Sequence, residues 1–271
     1  MPLYQVIILG IVQGLTEFLP ISSTAHLALA PWLLGWKDPG LTFDIALHVG
    51  TLAAVLIYFF RDWVQVVAQG VGMPVGADPE LKRNPALLWL LVAGSIPAGV
   101  AGLLFNKQAE TTWRTPMLIG SMMVIIGIVM ALAERSGRRV KDVGRISGAD
   151  AAVIGFAQAL ALVPGTSRSG VTIAAGLFRD LDRQAAARFS FLMSTPIIAG
   201  AALKGFHDLL KHGGIPDEMK VPFIIGIAVS AVTGFLTISF FLDFLRSRTL
   251  YFFIYYRIVF GIIVIALATV R

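Results

Sequence analysis

The sequence predicts an all-α polytopic membrane protein built as two inverted repeats, each a re-entrant helical hairpin followed by three transmembrane helices. Three observations lead there. The 271 residues are 56% hydrophobic and only 14% charged, against about 25% charged for a soluble protein, and the mean hydropathy is +0.79. Six apolar stretches are long enough to cross a hydrocarbon core of about 30 Å, which takes about 20 helical residues. Two further apolar regions are each interrupted by Pro and a cluster of hydroxyl residues. That is the pattern of a hairpin whose tip stops inside the bilayer, where broken backbone is tolerated only around a lined cavity.

The first hairpin occupies residues 3–34, with arms 3–19 and 22–34 flanking Pro20-Ile21-Ser22-Ser23-Thr24. Each arm is short for a full crossing, and Pro20 removes a backbone donor where the first arm ends. Spans at 45–60, 86–105 and 116–133 complete a first repeat, 1–135. A basic linker, 136–150, carries Arg138, Arg139, Lys141 and Arg145. The second repeat, 151–271, opens with the hairpin 151–178, whose arms 151–163 and 167–178 flank Pro164-Gly165-Thr166-Ser167-Arg168-Ser169. Spans at 184–203, 221–244 and 250–270 complete it. The halves echo one another. Gly10 and Gln13 precede Pro20 and Ser23 as Gly155 and Gln158 precede Pro164 and Ser167, with one gap between Gln and Pro, and Ser95-Ile96-Pro97 answers Ser194-Thr195-Pro196. Three spans per repeat is an odd number, so the second repeat is inverted and the hairpins enter from opposite faces.

Loop charge sets the orientation. Loops 61–85, 134–150, 179–183 and 245–249 hold twelve Lys and Arg against seven on the other side. The richer side faces the cytoplasm, with Arg83, Arg138 and Arg246, and Met1, Lys107 and Arg271 lie outside. The net charge of +6 is a topology signal, and no nucleic-acid partner is expected. Residues 1–19 lack a positive n-region and a small-residue cleavage site, so the first apolar segment is expected to stay. Without Cys, disulfides, thiolate metal sites and Cys nucleophiles are excluded. No Walker, H-E-x-x-H or G-x-S-x-G pattern occurs, which leaves P-loop, zincin and hydrolase-elbow chemistry without support.

The chemistry concentrates at the two breaks. Arg168 offers a planar fork of donors, and Ser167, Ser169 and Thr172 surround it; Gly165 and Gly170 allow close backbone approach. A guanidinium, hydroxyls and the exposed N–H groups of a helix start together match a phosphate. In the first break Gln13 and Glu17 share a helix face at i, i+4, and an acid inside an apolar segment is by default a functional candidate. Ser22, Ser23 and Thr24 can cap the second arm, and His26 follows Ser23 one turn on, an acid/base candidate. The bland alternatives are a structural Glu17–Arg168 pair and an arginine satisfying hairpin carbonyls. Elsewhere, Arg257, about 10 Å into the last helix by helical rise, suits an ion pair with Asp243 or snorkelling. His48 suits a core histidine, and His207 and His212 loops. Trp63, Trp89, Trp113, Tyr255 and Tyr256 suit interfacial belts.

The two motifs, Gln13-Gly-Leu-Thr-Glu17-Phe-Leu-Pro-Ile-Ser-Ser-Thr-Ala-His26 and Pro164-Gly-Thr-Ser-Arg-Ser-Gly-Val-Thr172, closely resemble those of the bacterial undecaprenyl-diphosphate phosphatase, or bacitracin-resistance protein, family. The resemblance covers essentially the whole chain. The family's first motif is Glu or Gln, three residues, then Glu. This sequence has the Gln form, which leaves Glu17 as the sole acid there. The resemblance implies hydrolysis of a polyprenyl diphosphate lipid to the monophosphate and inorganic phosphate in the bacterial plasma membrane, for cell-wall synthesis. It implies a site open to the extracytoplasmic side and a divalent cation, Mg²⁺ or Ca²⁺. In that setting Glu17, Ser23, His26 and Arg168 are expected to be catalytic. Gln13, Ser22, Thr24, Gly165, Ser167, Ser169 and Thr172 would bind substrate. Glu17 would ligate the cation or activate the attacking group, His26 would shuttle the proton, and Ser23 would attack or bind. A homodimer is left open. The rival readings are a lipid-phosphate transporter or flippase, since inverted repeats with broken helices are transporter architecture, and an anion channel.

Overall fold

The structure is a computed structural model that describes residues 1–211 and 214–270; His212 and Arg271 lie outside the described residues. These hold twelve α-helices and no strand beyond a single bridge between Lys141 and Leu181. The first hairpin is α1 (Leu3–Phe18) and α2 (Ser23–Leu34). Pro20 stops α1 through its constraint on the preceding residue, and Leu19 is extended at ψ 143°. Ser22 then caps α2, accepting from the Ala25 amide. Next come α3 (Leu41–Tyr58), α4 (Phe60–Gly70), α5 (Pro79–Lys82), α6 (Leu87–Glu110) and α7 (Pro116–Ser136). The second half holds α8 (Gly148–Ala159), α9 (Arg168–Phe178), α10 (Arg183–Lys211), α11 (Asp217–Ser247) and α12 (Tyr251–Val270). A capping box between Ser147 and Asp150 opens α8, and Ser167 caps α9 by accepting from the Gly170 amide.

Five helices, α6, α7, α10, α11 and α12, are long and apolar enough to cross a membrane, and α3 with α4 makes a sixth if that bent pair is one span. The chain is a multi-pass membrane protein. Its outer surface is accordingly apolar, with Trp89, Leu103, Phe252 and Tyr255 exposed, where a water-soluble fold would be polar.

Two expectations are corrected. The segment 61–85 is no simple loop, because the chain bends by 74° after α3 and continues as α4. Apolar side chains on one face of α4 pack inward while Arg61 stays exposed. His207 lies within α10 rather than in a loop.

The core is an aromatic ladder across the halves. Phe18 of α1 meets Phe191 of α10 at 5.3 Å, and Phe241 of α11 meets Phe253 of α12 at 5.3 Å, both edge-on. Helix α1 packs on α11, and α8 packs on α6. Small residues permit this: a Cβ at Gly50 would run into Ser230 and the Ile227 carbonyl of α11. The basic linker is tied down by acids. Arg138 pairs with Asp180 at 2.8 Å, Lys141 with Asp150 at 3.2 Å and Arg179 with Asp150 at 2.7 Å. The hydrogen bonds from Arg138 hold the Asp180 carboxyl down at about 2. Arg188, in the second turn of α10, fastens α4 and α5 by pairing with Asp62 and Asp78, each at 2.7 Å.

Candidate active site

The two breaks share one backbone device. Ser22 and Ser167 both sit at positive φ, 80° and 69°, a region costly for any residue with a Cβ. Each offsets that cost by turning its hydroxyl onto the third amide of the helix that follows. Ser22 lies nine residues after Gln13, and Ser167 nine after Gln158. The gap that the Pro positions demand between Gln and Pro therefore vanishes when the capping serines set the alignment.

The breaks also meet. Ser169 Oγ donates to the Leu19 carbonyl at 3.1 Å, and the Gly165 amide reaches Thr24 Oγ1 at 3.5 Å. Gly165 has φ 91° and presses on the Ile119 backbone of α7, so no side chain fits there. Arg257 bolts the junction. It is fully buried in α12 and donates to the carbonyls of Pro20 at 3.1 Å and of Gly165, Thr166 and Met123 at 3.0 Å. The expected partner Asp243 is instead 3.6 Å from Arg246. Arg257 is therefore a carbonyl-satisfying cation, since three of those carbonyls lie outside any helix and have no amide four residues on.

Glu17 and Arg168 pair at this junction, Arg168 Nη2 donating to Glu17 Oε1 at 2.9 Å. The other carboxylate oxygen, Oε2, accepts from Ser23 Oγ at 2.7 Å and from Gln13 Nε2 at 3.2 Å. Arg168 is steadied from behind, because Nη1 donates to the Ser190 carbonyl at 3.1 Å. Thr172 Oγ1 shares a 2.7 Å hydrogen bond with Ser190 Oγ. Thr172, Ser169 and Ser167 are thus buried supports of the break. Of the five N–H donors of Arg168, two are used, which leaves the fork able to take an anion.

His26 is placed differently from Glu17. Its Nδ1–H donates to the Ser22 carbonyl at 2.7 Å, so Nε2 accepts from Tyr256 O–H at 2.7 Å. The ring stacks on Phe260 and Tyr256 of α12. Tyr256, expected in an interfacial belt, is a partner of the first motif. His48, expected in the core, stands instead 3.5 Å from Glu17 Oε2 through its Nε2. It lines a cavity of about 510 Å³ together with Thr24, Asp44, Arg114, Pro164 and Lys204.

A hard divalent cation wants several converging oxygens. Glu17 is the carboxylate at the junction and both its oxygens are engaged, while Gln13 Oε1 is buried without a partner. Among the described residues no three His, Asp or Glu side chains are grouped to hold a metal ion. The side chains therefore do not build a protein cage for a cation.

A family model described as Bacitracin resistance protein BacA matches residues 6–263. The chain belongs to that family. Both breaks and all twelve helices fall within or across the BacA match. Curated relatives extend over the full length. The chain is 46% identical over 271 residues to the undecaprenyl-diphosphatase of Moorella thermoacetica, covering 100% of both chains. It is 48% identical over 269 residues to that of Trichlorobacter lovleyi, covering 98% of this chain and 97% of the relative. With that of Pelotomaculum thermopropionicum it shares 46% over 271 residues, 100% and 98% of the two.

Proposed function

We infer that the chain is an integral-membrane undecaprenyl-diphosphatase, hydrolysing undecaprenyl diphosphate to undecaprenyl phosphate and inorganic phosphate. This returns the lipid carrier to cell-wall synthesis and underlies bacitracin resistance. The observation that carries it is the meeting of Glu17, Ser23 and Arg168 where the starts of α2 and α9 come together, in a chain of the BacA family. Phosphoryl transfer asks for positioning and charge neutralisation more than for covalent chemistry. Arg168 and the capped helix starts would hold the terminal phosphate. Glu17 Oε2, already accepting from Ser23, would take the proton of the attacking oxygen, whether that is Ser23 Oγ or a water in its place. Thr24 and Gly165 would touch the diphosphate. Gln13, Ser22, Ser167, Ser169 and Thr172 would hold Glu17, the two breaks and Arg168 in register. His26, bonded to Tyr256, would carry a proton toward the leaving group. A divalent cation, Mg²⁺ or Ca²⁺, would arrive with the diphosphate, whose oxygens would supply the ligands that the side chains lack.

The test is phosphate release from undecaprenyl diphosphate by the purified protein in detergent. Release that EDTA abolishes is expected, with no effect of Mg²⁺ or EDTA on the thermal transition of the substrate-free protein. Movement of labelled lipid between leaflets of a vesicle with no phosphate released would instead favour the transporter.

We further propose two inverted repeats, 1–135 and 151–271, in the bacterial plasma membrane, with the site open outward. Support comes from the matched serine caps and from the cavity's place beside Arg114, in the turn between α6 and α7, and Lys204 of α10, two residues that the charge count assigns outside. A single Cys introduced at position 107 of this Cys-free chain should react with an impermeant reagent in intact cells, and one at position 138 should not. Labelling at 138 would reverse the orientation.

A further inference from the structure

His48 belongs to no motif, yet it is the side chain standing between Glu17 and the cavity. It lies on α3, one turn after Asp44. Its Nδ1 is 2.7 Å from the Asp44 carbonyl. A carbonyl can only accept, so Nδ1 carries the hydrogen and the neutral ring presents the lone pair of Nε2. Nε2 stands 3.5 Å from Glu17 Oε2, the same oxygen that accepts from Ser23 at 2.7 Å. Nε2 and Oε2 are close enough to pass one proton between them.

Exposure runs along the same line. The Glu17 side chain is 6% exposed and that of His48 26%, and His48 but not Glu17 lines the cavity. The charged groups around the ring are Glu17 on α1, Arg168 on α9, Asp44 on its own helix, Arg114 in the turn between α6 and α7, and Lys204 and Asp208 of α10, which line the same cavity. Arg114 pairs with Asp44 at 3.0 Å and so braces the turn that holds Nδ1. Thr51, one turn on, donates to the His48 carbonyl at 3.0 Å while receiving Gln13 Nε2 at 3.5 Å. The histidine is thus held by Asp44 on one side and on the other by Thr51, which is joined to Gln13, a residue that also holds Glu17.

We propose that His48 is a positioning residue of the phosphatase site, a proton relay that acts through Glu17 and returns it to the carboxylate form after each attack. The inference rests on the hydrolytic reading above. In the step concerned, the O–H bond of the nucleophile breaks and its proton passes to Glu17 Oε2. The new P–O bond forms, and the bridging P–O bond breaks with its electron pair leaving on the oxygen of the lipid monophosphate. Nε2 of His48 then takes the proton from Glu17 and gives it to water in the cavity. Water is the co-reactant: it attacks directly, or, where Ser23 Oγ attacks first, it then cleaves the Ser23 phosphoester to release inorganic phosphate and restore the hydroxyl.

The experiment compares wild type, His48→Ala and His48→Gln in the phosphate-release assay, with added imidazole as the probe. His48→Ala is expected to lower kcat about tenfold to a hundredfold, less than the 10²–10⁴ of a directly acting acid or base, with KM within about twofold. Imidazole should restore much of the loss in His48→Ala, since the open cavity admits it, and none of it in Glu17→Gln. His48→Gln keeps a side chain of similar reach but cannot pass a proton on. It should fold as wild type and stay slow. A wild-type kcat in His48→Gln, or a slow but folded His48→Ala that imidazole does not rescue, overturns the relay. An inactive wild type would overturn the hydrolytic reading itself.

Discussion

Glu17→Gln and Arg168→Ala are each expected to cut phosphate release by at least about 10³-fold, the scale of a lost arginine on a transferring phosphoryl group or of a lost general base. The geometry poses a second explanation that has to be separated from this one. The two side chains form a buried pair at 2.9 Å, and breaking such a pair from one side costs about 3–5 kcal/mol because a charge is left alone. Either single variant therefore also melts earlier in detergent. The double variant Glu17→Gln with Arg168→Gln removes both charges and keeps polar groups of similar size. Its thermal transition should recover toward wild type while its turnover stays abolished. A double variant that regains near wild-type release would make the pair a structural clasp and move the chemistry elsewhere.

What could be read from the sequence, and what could not, divides along a physical line. Apolar stretches bounded by Pro, Gly and Ser announce helices and their ends, because caps and proline act over three or four residues. So the hairpin limits at Phe18, Ser23 and Arg168 were legible, as were the spans from Leu87 and Pro116 onward. The junction of Glu17 with Arg168 was legible too, since a buried acid and a buried guanidinium both need a partner. The bend at Phe59 was not, because α4 carries enough polar residues to pass for a loop and its inward face shows only once it has something to pack on. His48 and Tyr256 were read as core and belt because each belongs to a helix whose own pattern is merely apolar. Their roles arise from what α1 and α2 bring against them. For Arg257 the signal is present in the sequence but ambiguous. A lone arginine in a 20-residue apolar helix demands several acceptors, and a carboxylate such as Asp243 is the obvious one in sequence, whereas the acceptors are carbonyls freed by the two breaks.

Arg257 carries the other large expected effect. Helix breaks inside an apolar protein leave backbone oxygens without amides, and here the carbonyls of Pro20, Gly165 and Thr166 all take their hydrogen bonds from this one guanidinium. Arg257→Met keeps the volume and withdraws every donor. Each carbonyl stranded in this way costs about 1–3 kcal/mol, and the two break tips lose the element that ties them through α12. The variant should therefore melt well below wild type in detergent. It should also release phosphate at least about a hundredfold more slowly, because misplacing reacting groups by about 1 Å can cost that much. Arg257→Lys, a point charge with three donors against five, should fall between the two on both measures. The loss is one of alignment, so undecaprenyl phosphate, the product, should also protect Arg257→Met from heat less than it protects wild type. An Arg257→Met protein with wild-type melting and turnover would show that the breaks hold their own geometry. The shared site would then owe its assembly to the Glu17–Arg168 pair, to Ser169 on the Leu19 carbonyl and to the Gly165 amide on Thr24, the other direct bonds between the two motifs.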